Sequence, residues 1–73
     1  MKVGQLVPGA HQRVDIVYRD GTFYGGLHCG NTLDVMLHDE WQPTRIEYRA
    51  GTGSWYLVGI EHDEDILGLT VRN

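Results

Sequence analysis

The neighbouring residues His28 and Cys29 are the pair in this sequence that most resembles a nucleophile with its base. A catalytic thiol needs a lowered pKa and a base within hydrogen-bond distance. Adjacent side chains on an extended strand point to opposite faces, so His28 is poorly placed to activate Cys29. Free cysteine is usually buried. We therefore expect Cys29 to be buried in a tight corner, and we predict a non-enzymatic protein without catalytic residues.

Metal and cofactor chemistry have little support in the sequence. Short ligand spacings are missing among the four histidines, which are His11, His28, His38 and His62. An acidic run near the C-terminus lacks the spacing and the glycine of a calcium loop. We interpret it as a solvated acidic loop; its members are Glu61, Asp63, Glu64 and Asp65. The glycine-rich segment 25–30 is followed by a strand pattern rather than by a helix, so we predict no phosphate loop and no cofactor.

Aromatic residues and arginines are the more informative set. The chain has seven aromatic residues, a number that can exceed what a small core holds. Exposed aromatic side chains beside arginines are favoured at protein interfaces, and the same mixture stacks single-stranded bases on small barrels. Arg45 and Arg49 fall on one face of a predicted strand, with Glu47 between them. The candidate interaction surface comprises Tyr24, Trp41, Arg45, Arg49, Tyr56 and Arg72.

The elements that must position these residues follow a period of two, which is typical of strands. Strands are predicted at 13–19, 22–24, 32–38, 44–49, 55–60 and 66–72, with a short strand at 4–7. Asp-Gly at 20–21 and Asp-Glu at 39–40 are predicted turns, and Pro43 is expected at a strand start or an edge. The uncharged segment 55–60 is expected to be central and buried on both sides. Alternation places three aromatic residues in the core: Tyr18, Tyr48 and Trp55.

The predicted fold is all-β, because no window of ten residues shows a helical stripe. With 73 residues, the chain forms a single domain over 1–73. We predict a small five- or six-stranded antiparallel barrel, SH3-like or related, since closure removes sheet edges. The alternative is a strongly bent single antiparallel sheet.

Charge and cysteine content bound the setting and the partners. The chain carries 10 acidic and 6 basic residues, a formal net charge of −4, which disfavours nucleic acid as a partner. The first residues have no apolar run of a signal peptide, and no stretch approaches the roughly 20 apolar residues that span a bilayer. A lone cysteine fits a reducing compartment. We expect a cytoplasmic protein without membrane contact.

Four sequence blocks in order resemble a known bacterial family. They are residues 24–35, 41–48, 55–59 and 68–72, and the similarity extends over roughly residues 13 to 72. The family is that of short proteins catalogued as domain of unknown function 5348. The resemblance implies a bacterial cytoplasmic setting, with a hint of phage or plasmid biology, and it supplies no activity and no site residues.

The leading hypothesis is therefore a non-enzymatic protein-interaction module whose partner is unknown. It would serve as an accessory or inhibitor protein of a bacterial mobile element. The alternative is a small barrel that binds single-stranded nucleic acid or RNA through the arginine-bearing face. The sequence leaves the oligomeric state and the strand order open.

Overall fold

The computed structural model describes residues 1–60 and 65–73. Six strands and one 3-10 turn make up the regular structure of these residues: β1 (Val3–Pro8), the turn (Ala10–Gln12), β2 (Val14–Tyr18), β3 (Thr32–Leu37), β4 (Glu40–Arg49), β5 (Ser54–Leu57) and β6 (Thr70–Arg72). The prediction of an all-β domain is confirmed. Within the described ranges, no helix has the length and apolar character needed to cross a membrane.

The six strands form one antiparallel sheet in the order β2-β1-β6-β3-β4-β5. Strands β2 and β5 are the two ends of the sheet, and no ladder joins them among the described strands. The sheet is thus open and corresponds to the bent-sheet alternative, not to a closed barrel. Its two ends nevertheless approach each other, because the Trp55 indole Nε1 donates a hydrogen bond to the Gln12 carbonyl at 3.0 Å.

One face of the sheet carries the core. The fully buried side chains come from five strands and one loop, and they are Leu6, Ile16, Leu27, Val35, Ile46 and Val71. Strand β1, predicted as a short strand at 4–7, lies between β2 and β6. Gly4 is required there, because a Cβ at this position would overlap the carbonyl oxygen of Val17. The close approach of β1 and β2 therefore depends on the missing side chain.

The hairpin that joins β3 to β4 differs from the prediction. Its turn consists of His38 and Asp39, which have φ angles of 53° and 62°, rather than of Asp39 and Glu40. Two residues with positive φ match the twist of a two-residue hairpin. Pro43 lies inside β4, opposite Asp34. Because hydrogen-bonded and non-bonded pairs alternate away from the turn, the Pro43 nitrogen points away from β3 and costs no ladder bond.

Several predicted strands are shorter or lie elsewhere. Segment 22–24 contributes only an isolated bridge from Phe23 to Val17. The last strand is limited to Thr70–Arg72, and Leu67 before it is 36% exposed. The segment predicted to be central, 55–60, includes β5, which is an edge strand. An uncharged sequence there reflects the approach of the two sheet ends, not burial on both faces.

The three aromatic residues predicted for the core have different outcomes. Tyr18 is buried, at 8% exposure, as predicted. Trp55 is half-buried and packs against the core from its rim. The prediction of a core position is wrong for Tyr48, because this residue is 44% exposed. It lies past Ile46 toward the end of β4, where the core ends, and its ring stacks against Trp55 with ring centroids 4.9 Å apart.

Candidate functional site

Strand register places most of the candidate surface on one side of the sheet. Buried Leu33, Val35 and Ile46 define the inner face of β3 and β4. Residues of the other parity point outward, because side chains alternate along a strand. We call the resulting set the aromatic–arginine face; it consists of Trp41, Arg45 and Arg49 from β4, Tyr56 from β5 and Arg72 from β6. Five of the six predicted residues thus share one face.

Arg49 and Tyr56 form one end of this face. The Arg49 guanidinium carbon lies 4.3 Å from the centre of the Tyr56 ring. The ladder explains the contact, since Arg49 is opposite Ser54 and Tyr56 is two residues further along β5. Arg49 is exposed, and no residue in the described ranges forms an ion pair with it. This guanidinium is therefore available to an anionic partner group.

Arg72 and Trp41 form the other end. The Arg72 guanidinium carbon lies 4.4 Å from the Trp41 ring centre, and its Nε donates to Asp34 Oδ2 at 2.9 Å. Asp34 is directly opposite Arg72 in the β3–β6 ladder. Two contacts hold this arginine in one orientation, and the Trp41 ring remains half-exposed beside it. The result is a fixed platform of one flat ring and one cation.

Between the two ends lies an ion pair within β4. Arg45 Nε donates to Glu47 Oε2 at 3.0 Å, and both side chains are partly exposed. An exposed pair of this kind contributes only about 0–1 kcal/mol to stability. Its importance is for the surface charge, because three arginines share the outer side of the sheet with the carboxylates of Glu47 and Asp34. The face is of mixed charge and is not a continuous cationic track.

Tyr24 lies apart from the other five predicted residues. It follows the Phe23 bridge beyond β2, and its backbone N–H donates to the Ile16 carbonyl at 2.9 Å. Strand β2 is at the opposite end of the sheet from β5. Tyr24 is 42% exposed and its neighbour Phe23 is 60% exposed, so both rings lie at the surface away from the aromatic–arginine face.

The acidic loop can be placed only in part. Glu61, Asp63 and Glu64 lie outside the described residues. Asp65 is exposed, and its Oδ1 accepts a hydrogen bond from the Leu67 N–H at 3.0 Å. This contact makes Asp65 part of the turn that leads to Leu67.

The expectation that Cys29 is buried is wrong, because its side chain is exposed. Leu27 takes the buried position in this corner instead. The next residues form an exposed turn, in which the His28 N–H donates to Asn31 Oδ1 at 2.8 Å. Across residues 1–60 and 65–73, no three His, Cys, Asp or Glu side chains are grouped so as to hold a metal ion.

A cleft that the sequence did not indicate lies between the two ends of the sheet. It has a volume of about 670 Å³, within the usual range of ligand sites. Its lining joins the start of β2 and the residues before it with all of β5, together with the end of β4 and residues that follow β5. Apolar Trp55, Leu57 and Ile66 line it, and its charged lining residues in the described ranges are Arg13, Arg49 and Asp65, two cations and one anion. Only the bend of the sheet brings these distant segments together, so no local sequence pattern could have revealed them.

Fold and surface together define a small open-sheet β domain with an exposed aromatic–arginine face. A family model described as domain of unknown function 5348 matches residues 5–73. The chain therefore belongs to this family, and the resemblance drawn from the four sequence blocks is confirmed.

One solved structure is similar over the whole chain. It is a crystal structure of a protein from Ruminococcus gnavus, produced by the Northeast Structural Genomics Consortium. The two sequences are 41% identical, the match covers 99% of this chain and 100% of that one, and the TM-score is 0.85. A comparison with curated proteins gives no match. This chain and the Ruminococcus gnavus protein are therefore similar in sequence and in fold over their whole lengths.

Proposed function

We propose that this protein is a non-enzymatic interaction module that binds another protein through the aromatic–arginine face. The observation that carries the proposal is the common orientation of Trp41, Arg49, Tyr56 and Arg72. They come from three strands, yet they form two arginine–ring stacks on one side of the sheet. Tryptophan, tyrosine and arginine are the residues most enriched among binding hot spots.

Preorganisation supports a binding role for this face. Ordering a flexible side chain on association costs about 0.5–1.5 kcal/mol each. Arg72 is already held by Asp34 and Trp41, and Arg49 is held by the Tyr56 ring. A partner would therefore meet side chains whose freedom is already reduced, which favours affinity.

Charge favours a protein over a nucleic acid as that partner. A track for single-stranded nucleic acid combines stacking rings with uncompensated cationic groups. Glu47 and Asp34 each pair with an arginine of this face, and the whole chain has a net charge of −4. Binding of single-stranded nucleic acid or RNA is the weaker alternative, and the experiment below separates the two.

The proposed setting is the bacterial cytoplasm, with the protein acting as an accessory or inhibitor of a mobile element. The single exposed thiol of Cys29 fits a reducing compartment. The 41% identical relative comes from a bacterium. The link to mobile elements is supported by the family resemblance alone.

Affinity capture with surface variants tests this function. The tagged chain is recovered from its natural host, with and without nuclease, and bound proteins are quantified by mass spectrometry. Trp41→Ala and the double variant Arg49→Ala/Tyr56→Ala should reduce the recovered partner at least about tenfold, as for hot-spot residues. Arg19→Ala is the matched control, since Arg19 is exposed just after β2, at the opposite end of the sheet.

Two outcomes would contradict the proposal. One is a partner that the aromatic–arginine variants retain at the wild-type level while they keep the wild-type circular dichroism spectrum. The other is a set of partners that disappears with nuclease and is replaced by recovered RNA or DNA. The second outcome would establish the nucleic-acid alternative.

A further inference from the structure

We propose that the open edge of β5 receives an extended segment of the partner protein, which adds to the sheet as a seventh, antiparallel strand. The segment has a defined chemistry, in which apolar residues alternate with acidic residues. This inference rests on the proposed function and specifies how the partner is held. It is carried by the backbone of β5, by the cleft beside it and by two arginines.

Backbone hydrogen bonding leaves the outer edge of β5 unsatisfied. Ile46 in β4 directs its N–H to the Asn31 carbonyl at 3.0 Å, and its own carbonyl accepts from the Gly30 N–H at 2.8 Å. Both groups point away from β5, so Ile46 and its partner Leu57 are a non-hydrogen-bonded pair. Alternation then directs the backbone groups of Leu57 and Trp55 outward.

The outward groups have few partners. The Leu57 carbonyl accepts from the Ile60 N–H at 3.3 Å. For the Leu57 N–H and for the N–H and carbonyl of Trp55, the described part of the chain supplies no backbone partner. Three groups in ladder spacing are therefore free to bind an added strand. Such an edge is a template for strand addition.

The cleft lies alongside this edge. Its lining includes all four consecutive residues of β5, Ser54–Leu57. Successive side chains point to opposite faces, so a cavity that contacts every residue of a strand must lie at its backbone edge. The strand has no charge, no proline and no bulge, which are the usual means of blocking an edge. Space and hydrogen-bonding groups therefore coincide.

The two sides of the cleft specify the segment's side chains. Leu57 and Ile66 are buried, at 3% and 5% exposure, and they provide an apolar floor on the inner side. On the outer side lies the Arg49 guanidinium, and Arg13 lines the opposite wall. With respect to the described residues, the Arg13 side chain makes a single long hydrogen bond, 3.4 Å, to the Leu27 carbonyl. A bound strand of alternating apolar and acidic residues would place its apolar side chains on the inner side of the cleft and its acidic side chains next to the arginines.

A second copy of this chain fits the edge less well. Antiparallel pairing of two β5 strands about Tyr56 would bring the two Tyr56 rings together. Each ring carries its own Arg49, so two like charges would meet on one face, which is unfavourable. An acidic segment places opposite charge at the same position.

Peptides methylated at alternate backbone nitrogens test strand addition directly. The probe is an acetylated, amidated and fluorescently labelled peptide of alternating valine and glutamate, and its affinity is measured by anisotropy. In an antiparallel ladder, the residue that bonds to Trp55 has its side chain on the same inner face, and it is therefore a valine. Methylation of the valine nitrogens should weaken binding about tenfold or more, whereas methylation of the glutamate nitrogens should leave it unchanged.

Charge exchange provides the second measurement. Replacing the glutamates by lysines should weaken binding about tenfold, and Arg49→Glu should reverse this preference. Arg19→Glu makes the same charge change away from the cleft and should preserve the preference for glutamate. The amide resonances of Trp55 and Leu57 should shift on titration and gain protection from hydrogen exchange.

Other results would overturn the inference. These are no binding of the peptide, an equal effect of the two methylation patterns, a larger effect of methylation on the glutamates, or concentration-dependent dimers that shift the Trp55 amide without peptide. If the peptide fails while Trp41→Ala still abolishes partner capture, only this inference is lost. If the aromatic–arginine variants capture as much partner as the wild type, the proposed function itself is refuted.

Discussion

The two edges of the sheet are treated differently by the chain. The outer edge of β2 is covered by the segment that follows it: the Tyr18 N–H donates to Thr22, and Val14 accepts from Leu27, each at 2.8 Å. Among the described residues, the outer edge of β5 has no comparable cover beyond the single bond from Ile60 to Leu57. A small domain with one covered edge and one open edge can accept an added strand at the open edge. The covered edge is at the same time protected from pairing with other chains and thus from aggregation.

The cover over β2 is held by one carboxylate. Asp15 Oδ1 accepts from the N–H groups of Ile16, Gly25 and Gly26, at 2.8, 3.0 and 2.9 Å. The φ angles of Gly25 and Gly26 are 108° and 99°, which side-chain-bearing residues rarely adopt. The glycine pair that resembles a phosphate loop in the sequence is thus a device for turning two N–H groups toward Asp15.

Leu27→Ala is expected to have the largest effect on stability. Leu27 is fully buried, and it is the residue through which the β2 cover enters the core. Replacing a buried leucine by alanine costs about 3 kcal/mol, because apolar burial is lost and a cavity remains. The free energy of unfolding is measured by urea denaturation monitored by tryptophan fluorescence.

The exposed Leu67 supplies the matched control for this substitution. Leu67→Ala should change the free energy of unfolding by less than about 0.5 kcal/mol, as for ordinary surface positions. Equal effects of the two alanine variants would contradict the description of Leu27 as the anchor of the cover.

Asp15→Ala is expected to have the second largest effect. It leaves the Gly25 and Gly26 N–H groups without their acceptor, and hydrogen bonds to a charged group contribute about 1.5–3 kcal/mol each when well protected. Because the site is partly exposed, we expect a loss of about 2 kcal/mol, and faster hydrogen exchange at Gly25, Gly26 and Leu27. Asp15→Asn keeps an acceptor oxygen and should recover about half of the loss. A variant with unchanged exchange at the covered edge would show that Asp15 does not hold the cover.

The sequence predicted the strands of the core better than the position of the edges. Alternation in β2 and β3 identified buried Val14, Ile16, Leu33 and Val35, because each of these strands packs one face on the core. The prediction that segment 55–60 is central and buried on both sides failed, because β5 is the last strand of a bent sheet and Trp55 is half-buried through a contact with the opposite end that is not local. The strand predicted at 22–24 is only an isolated bridge at Phe23, because a loop that covers a sheet edge and a true strand have similar sequences.

The sequence predicted five of the residues that form the aromatic–arginine face, but it did not predict which arginine contacts which ring. The spacing of Arg45 and Arg49 on one strand identified a common face, and the register of β4 with β5 then added Tyr56. Tyr24 could not be excluded by sequence, since its position depends on strand order. Cys29 was misassigned because the usual burial of cysteine is an average, and Leu27 occupies the only buried position of that corner.

Trp55→Phe tests the contact that joins the two ends of the sheet. The substitution keeps an aromatic ring and removes the indole N–H that donates to Gln12. One such bond contributes about 1 kcal/mol, so the free energy of unfolding should fall by about this amount. Gln12 and its neighbour His11 have φ angles of 61° and 56°, an unfavourable conformation for both residues, and their exchange should increase with the loss of the bond.

Trp41→Phe is the control for this measurement. The structure gives the Trp41 indole N–H no hydrogen bond to a described residue, so the cost should stay below about 0.5 kcal/mol. A larger loss for Trp41→Phe than for Trp55→Phe would mean that the two sheet ends are not tied through Gln12.

The smallest expected effect is on pH dependence, and it concerns the covered edge. Burial at the end of β2 raises the pKa of Tyr18 above its ordinary value of 10.0, and the phenol donates a hydrogen bond of 2.7 Å to Asn73 Oδ1. The neutral phenol is therefore favoured in the folded state. Below pH 10 both states keep the proton, and the stability is unaffected. As the pH rises through 10, the unfolded chain releases the proton first, so the free energy of unfolding declines.

Urea denaturation between pH 8 and 11 measures this decline, and Tyr18→Phe identifies its source. The variant loses the bond to Asn73 at every pH, so its curve lies lower at neutral pH, and it should decline less steeply above pH 10. Parallel curves for the two proteins would show that Tyr18 is hydrated at high pH, and hence that the β2 edge opens to water more readily than its cover implies. The comparison between a closed and an open edge would then hold only for the segment anchored by Asp15.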